Sequence, residues 1–308
     1  MKPTVVLTLV ASGAYTAATP VIPRHLPHAH GVNTHRHTPL RLLHTFTPIS
    51  ISRKKFRPLE ASTAESTKGG AILRLPDSDL STVSATLRIP AAQMPTAGPT
   101  ANNTVGVYAA SFWVGIDSAT DACAAGGALR AGVDVFWDGT IGGQQTPFAW
   151  YQGPGQANAA GFDGGFPVGE GDLVRFTLKA GAAGGEEVAV VAENFGRNAT
   201  GAEGGAVPVR RARKVLPAGA GGKTLCRGEA AWMVEDFPLQ GRPELPAALA
   251  NFTTVAFTAG VGLSDGMEKD LAAAEVLDIR LEAQGGRLTS CEVADERNVK
   301  CARVVGDS

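Results

Sequence analysis

Histidine is missing from most of this chain. All six, His25, His28, His30, His35, His37 and His44, lie near the start, and from residue 45 to residue 308 there is none. A Ser-His-Asp or Cys-His centre is therefore excluded from the body of the protein, as is a histidine-ligated metal, because the imidazole that would act as base or ligand is not there. Any acid-base catalyst in the body must be a carboxylate, or failing that a lysine or tyrosine. Cysteine is sparse: Cys123, Cys226, Cys291 and Cys301 are the full set of four. An even number suits two disulfides in a secreted protein, the other reading being four buried thiols in a cytosolic one. Long apolar runs are absent too. Beyond the opening segment nothing approaches the roughly 18 residues of a membrane span, so no membrane partner is expected.

What the chain has in excess is turn-forming residues. Glycine at 38 and proline at 19 stand well above their usual joint share of roughly 12%, which favours many turns over long helices. Hydrophobic residues at 44% are ample for a core. From Lys68 onward short alternating runs recur between turn signals: "TVSATLRIP" (Thr82 to Pro90), "VGVYAASFWVGID" (Val105 to Asp117), "DLVRFTLKA" (Asp172 to Ala180), "EEVAVVAEN" (Glu186 to Asn194), "TTVAFTAGV" (Thr253 to Val261) and "EVLDIRLEA" (Glu275 to Ala283). This spacing predicts an all-β sandwich of antiparallel sheets. Only "MEKDLAAAEVL" (Met267 to Leu277) has helical character, as at most a short helix, and "RRARK" (Arg210 to Lys214) reads as a solvated strand or loop.

The ends differ in charge from the middle. Up to Thr67 there are eight Lys/Arg and two acids, a net of +6; the rest carries 20 basic and 27 acidic residues, a net of −7. Met1 and Lys2 precede "PTVVLTLVASGAYTAA", an apolar run ending in small residues, which predicts a signal peptide over residues 1–18, cleaved after Ala14 or Ala18. Residues 19–66 are rich in Pro, His, Thr, Ser and Arg and include "SRKKFRP" (Ser52 to Pro58). They are expected to form a mostly unstructured basic propeptide with a processing site, leaving residues 67–308 as the folded domain. Irregular histidine spacing argues against a metal tract. The lack of interleaved aromatics argues against nucleic acid. Sequons at Asn102, Asn198 and Asn251 agree with secretion.

Two stretches carry candidate chemistry. In "AAWMVEDF" (Ala230 to Phe237) a strand puts Trp232, Val234 and Asp236 on one face and Ala231, Met233, Glu235 and Phe237 on the other. Glu235 is then a carboxylate set between Met and Phe, a desolvating place suited to an acid or base. In "GGALRAGVDVFW" (Gly126 to Trp137) one face is Leu129, Ala131, Val133, Val135 and Trp137, and the other is Ala128, Arg130, Gly132, Asp134 and Phe136. A lone arginine and a lone aspartate thus share a face otherwise made of small or apolar residues.

Read together and in order, "GGAIL" (Gly69 to Leu73), "TVSATLRIP", "SFWVGID" (Ser111 to Asp117), Cys123, "GVD" (Gly132 to Asp134), "AWY" (Ala149 to Tyr151), "EGD" (Glu170 to Asp172), "LC" (Leu225, Cys226), "VEDF" (Val234 to Phe237) and a closing cysteine pair resemble the fungal glutamic peptidases, the eqolisins. The resemblance implies a secreted zymogen whose mature part is a concanavalin-like sandwich of two large, bent antiparallel sheets, acting in acid on protein and peptide substrates without a cofactor. It implies disulfides Cys123 to Cys226 and Cys291 to Cys301. It also implies that Glu235 is the general base and later acid, with Trp113, Asp117, Asp134 and Trp150 around the cleft. The cationic propeptide would sit over an acidic cleft as an inhibitor released by acid. The chain is expected to be a monomer.

Departures from the family pattern concentrate in the site. Where the family has its oxyanion-stabilising glutamine, two residues before "GVD", this chain has Arg130. Register shifts offer only Leu129 or Ala131, and Gln144 and Gln145 lie beyond the next turn. Arginine can donate to an oxyanion, and it can also pair with Glu235 and occupy the base. The family's "AWYEWYP" is "AWYQGPG" (Ala149 to Gly155) here, and the tryptophan expected before "GGAIL" is Lys68. Two other functions stay open: a weak or silent homologue that binds peptide, and a carbohydrate-binding sandwich suggested by fold analogy.

Overall fold

A computed structural model describes residues 65–75, 80–95, 98, 106–120, 123, 126–181, 187–202, 206–237 and 247–304. The expected signal peptide and nearly all of the expected propeptide lie outside the described residues. Strands follow one another in the order β1 (Lys68–Arg74), β2 (Leu80–Arg88), β3 (Val107–Ile116), β4 (Leu129–Asp138), β5 (Gly143–Gln144), β6 (Phe148–Gln152) and β7 (Ala160–Gly161). Then come β8 (Leu173–Lys179), β9 (Glu187–Gly196), β10 (Arg210–Pro217), β11 (Gly219–Ala220), β12 (Lys223–Thr224), β13 (Glu229–Glu235) and β14 (Ala248–Leu249). The last are β15 (Thr254–Leu263), β16 (Glu275–Leu277), β17 (Arg280–Leu281), β18 (Gly286–Arg287), β19 (Thr289–Val293) and β20 (Asn298–Arg303).

Two large sheets form the expected sandwich. One runs β16-β1-β13-β3-β4-β6-β7, with β14 added on β3 and β5 on β4; the other runs β10-β9-β8-β2-β15-β20-β19. Pairing is antiparallel throughout except for the short β14–β3 contact. Between the sheets the alternate residues Phe112, Val114, Ile116, Leu129, Ala131, Val133, Val135, Trp232 and Val234 meet Val83, Ala85, Leu87, Phe176 and Phe257 in one continuous core. Removing such side chains from water is the main force holding the layers together.

Burial separates the strands into two kinds. β15 alternates buried and exposed residues, as a strand with one wet face does. β3, β4 and β13 are buried on both faces along almost their whole length. One face of these three packs on the second sheet, so the other must be covered as well, and it is the floor of the candidate site. The solvated strand expected at Arg210 to Lys214 is the edge strand β10. No helix forms over Met267 to Leu277: the segment is turns and then β16, which pairs with β1 through Gly70, Ala71 and Ile72. Leu271 is its one deeply buried side chain, so there is no apolar stripe for a helix to bury. The disulfide pairing is as implied. Cys123–Cys226 ties the loop after β3 to the approach to β13, and Cys291–Cys301 joins opposed residues of β19 and β20.

Candidate active site

Register across the first sheet builds the site as three rows on one face. Residues paired in an antiparallel sheet project to the same side, and alternate residues of a strand share that side. The first row is Lys68, Glu235, Ser111, Asp134 and Phe148. The second is Gly70, Met233, Trp113, Gly132 and Trp150, and the third is Ile72, Ala231, Gly115, Arg130 and Gln152. Gly132 lies between the two tryptophans for a steric reason. A Cβ there would stand 2.3 Å from the Phe112 carbonyl oxygen and 2.6 Å from the Trp113 Cβ, so only glycine lets both indoles lie in this row.

Glu235 and Arg130 come together across Trp113. The Trp113 indole donates from Nε1 to Glu235 Oε2 at 2.7 Å. Arg130 lays its guanidinium over the same indole, 5.3 Å from the ring centroid, and brings Nη1 to 3.8 Å from Oε2. That separation is an ion pair and is too long for a hydrogen bond. The close partner of Oε2 is therefore the tryptophan, and among the described residues none donates to Oε1. Arg130 Nη2 donates to Gln152 Oε1, whose amide Nε2 donates in turn to the Gln156 carbonyl at 2.8 Å. Lys68 completes the cluster, with Nζ 5.9 Å from the Trp113 centroid and within 3.4 Å of the Ser118 carbonyl. Glu235 and Arg130 are 4% and 2% exposed. Burial pushes the Arg130 guanidinium below its ordinary pKa, and Glu235 and Asp134 oppose that shift; it remains a cation.

The other expected residues divide. Asp134 accepts from Trp150 Nε1 at 2.8 Å, and both lie in the three rows, so this pair belongs to the site floor. Asp117 does not join the Glu235 cluster. It sits just past β3 in a left-handed conformation, φ 52°, and accepts from the main-chain N–H groups of Arg227, Gly228 and Glu229 at 2.6, 2.9 and 3.1 Å. It thereby fixes the start of β13, the strand that ends at Glu235. Burial raises its pKa, and the main-chain donors of Arg227, Gly228, Cys226 and Glu229 lower it, burial winning. Gln144 and Gln145 are engaged elsewhere, by Ala92 N–H and the Asp138 carboxylate.

Two contributors were not visible in the sequence reading. Gln152 is the residue opposite Arg130 on β6; its position in "AWYQGPG" is the available signal, but the pairing of β6 with β4 is not implied by either strand alone. Glu229, on the same strand as Glu235, accepts from the N–H groups of Ala119 and Thr120 and from the Thr120 hydroxyl, and so holds the loop that rims the site.

A pocket of about 450 Å³ opens beside this cluster, with Lys68, Arg130, Gln152, Gln156, Lys223 and Asp117 among its lining residues. The size falls within the usual range for small-ligand and peptide side-chain sites. Among the described residues three cations and the Asp117 carboxylate line it, and one of those cations, Arg130, has Glu235 at 3.8 Å. No group of His, Cys, Asp and Glu side chains suited to a metal occurs among the described residues.

The two-sheet sandwich thus carries a buried glutamate, its indole donor and a cationic neighbour on one face. The sequence profile of the Peptidase A4 family matches residues 66–303, and the chain belongs to that family, the glutamic peptidases. The matched span begins where the described β-structure begins, at the Ser66 bridge to Arg280. No curated protein matches the chain.

Proposed function

We propose that this peptidase is a secreted glutamic-type endopeptidase, made as a precursor and active in acid, with Glu235 as general base and Arg130 in the role of the oxyanion donor. The observation that carries this reading is the asymmetry of the Glu235 carboxylate. Oε2 is held by Trp113, whereas Oε1 is uncommitted and can take a proton from a water as that water attacks the scissile carbonyl. As the tetrahedral oxyanion develops, a guanidinium Nη group supplies the charge-assisted donor that a carboxamide supplies in the family pattern. Glu235 then returns its proton to the leaving amine. Gln152, by accepting from Arg130, orients the guanidinium and acts as a positioning residue.

The basic stretch "SRKKFRP" (Ser52 to Pro58) ahead of the matched domain supports a precursor that is processed. The two disulfides support an oxidising compartment, in keeping with the apolar start of the chain. A silent, peptide-binding homologue is favoured by one observation, the 3.8 Å approach of Arg130 to Glu235, which places a competing cation at the base. A sugar-binding role draws less support, since Trp113, Trp150 and Trp232 are wholly buried and present no stacking face. Assay of the acidified precursor on an unfolded protein substrate, with and without Glu235→Gln, separates these readings.

A further inference from the structure

Ser111 is the one hydroxyl in the first row of the site. It is paired in register with Glu235 on one side and with Asp134 on the other, so its Cβ stands about 4.5–5.5 Å from each of theirs. The side chain is 0% exposed, and among the described residues its Oγ has no hydrogen-bond partner. A buried hydroxyl left unpaired costs free energy that alanine at the same place would avoid. The row beneath explains why neither neighbour takes it up. Trp113 and Trp150 flank Gly132 there, and each draws a first-row carboxylate toward its indole: Trp113 Nε1 donates to Glu235 Oε2 at 2.7 Å, and Trp150 Nε1 to Asp134 Oδ1 at 2.8 Å. Ser111 stands between two carboxylates held by matching donors. Complete burial keeps solvent water from its Oγ, so the groups in register to pair with it are these two.

Two ionised carboxylates offer a hydroxyl acceptors only, and its single proton serves one of them at most. Protonation of Glu235 changes the count. Its carboxyl then has an O–H to give, Ser111 Oγ can accept it, and the Ser111 O–H can go to Asp134, so that the three groups satisfy one another. We infer that Ser111 is a positioning residue that stabilises the protonated form of Glu235 and links it to Asp134, an inference that rests on the general-base reading above. The proton taken from the attacking water stays on Glu235 Oε1 while Ser111 and Asp134 supply hydrogen bonds alone. When the tetrahedral intermediate collapses, that proton passes to the leaving amine, and Ser111 and Asp134 end as they began. Because the bridge exists only once the base has taken its proton, it favours the transition state over the resting enzyme. Arg130 cannot do this work. The carboxamide of the family pattern has an oxygen that accepts, whereas a guanidinium has donors alone, and Ser111 is the neutral acceptor next to Glu235 in the row.

The test compares the full chain with its Ser111→Ala and Ser111→Thr forms. Titration of the Glu235 carboxyl is followed by carbon-13 NMR from about pH 2 to about pH 6, its signal identified by loss from Glu235→Gln. Among the described residues the charged groups facing Glu235 are Lys68, Asp134 and Arg130, with Asp236 acting from the other face of the strand; all are the same in the three proteins. Ser111→Ala should make Glu235 hold its proton about tenfold less tightly, a midpoint lower by about one pH unit, because a bond to the neutral form is lost. Ser111→Thr keeps the hydroxyl on a side chain suited to a strand and should stay within about threefold of the parent. The Tm of Ser111→Ala should hold or rise, since the hydroxyl removed has no partner in the resting protein. A midpoint that is unmoved or raised in Ser111→Ala, an equal fall in a folded Ser111→Thr, or a Ser111→Ala protein that is less stable or unfolded each overturns the inference. Hydrolysis of an unfolded protein keeps the two questions apart. In an active chain Ser111→Ala should lower kcat about tenfold with KM within about twofold, and an unchanged kcat also overturns the inference. A shifted midpoint without hydrolysis by any form retains the bridge and removes the endopeptidase reading, whereas hydrolysis with an unmoved midpoint does the opposite.

Discussion

Replacing Trp113 by phenylalanine removes one hydrogen bond and keeps an aromatic ring in the row. Trp113 is fully buried, and its Nε1 to Glu235 Oε2 contact of 2.7 Å is the hydrogen bond that anchors the carboxylate proposed as the base. A hydrogen bond to a charged group contributes about 1.5–3 kcal/mol. If that contribution is spent on orienting the base in the transition state, its loss lowers the rate by roughly 10- to 150-fold. A second effect has the same direction: freed of the indole, Oε2 can close the 3.8 Å gap to Arg130, and the carboxylate then turns toward the cation. The assay is hydrolysis of an acid-unfolded protein by Trp113→Phe and by the unsubstituted enzyme, with kcat and KM determined separately and Tm recorded in the same buffer. The expected signature is a fall in kcat with little change in KM, because the indole touches the base and not the pocket. A variant with lowered Tm but a rate within about threefold of the parent would refute the reasoning, since the indole would then serve packing alone.

Two further outcomes follow from groups outside the proposed catalytic pair. Asp236, next to Glu235 but on the opposite face, is buried, accepts from Gln284 Nε2 at 2.7 Å, and has a pKa raised well above the ordinary carboxylate value, chiefly by desolvation. A raised folded-state pKa means the native protein binds the extra proton, so this contribution to stability is complete below the unfolded value of about 3.9 and is lost as pH rises through the folded value. Urea midpoints should therefore decline from acid toward neutral pH, and Asp236→Asn should flatten that decline; an unchanged slope would show that Asp236 is not its source. For the disulfides, sequence separations of 103 and 10 give chain-entropy contributions of about 4.7 and 2.7 kcal/mol. Removing the Cys123–Cys226 pair should accordingly destabilise the protein by about 2 kcal/mol more than removing Cys291–Cys301, as read by denaturant unfolding.

The parts of the fold that could be read from the sequence are those governed by period-two alternation. "GGALRAGVDVFW" divides between core and site as its alternation requires, with Arg130, Gly132 and Asp134 on one side and Leu129, Ala131, Val133 and Val135 in the core. "VEDF" does the same for Glu235 and Val234. What alternation cannot supply is register between strands distant in sequence. Gln152 meets Arg130 because β6 pairs with β4 at that position, and Lys68 stands beside Glu235 because β1 pairs with β13; neither neighbour is implied by either strand alone. Asp117, at the end of "SFWVGID", lines the pocket, and the left-handed turn there directs its oxygens at main-chain N–H groups, which the strand pattern does not foretell. The short helix that "MEKDLAAAEVL" at most allowed does not form, because pairing of its end with the β1 edge outweighs the modest helical preference of an alanine-rich segment.

The central claim is that Glu235 acts as a base beside a cation that assists it. The most direct measurement is hydrolysis of an unfolded protein by the acidified, purified precursor at about pH 3 to 4, where a carboxylate base is partly ionised, run in parallel for the unsubstituted chain, Glu235→Gln and Arg130→Gln. Hydrolysis by the unsubstituted protein that is abolished by Glu235→Gln is the predicted result. A silent unsubstituted protein that gains activity through Arg130→Gln would contradict it, for Arg130 would then be blocking the base instead of serving the oxyanion.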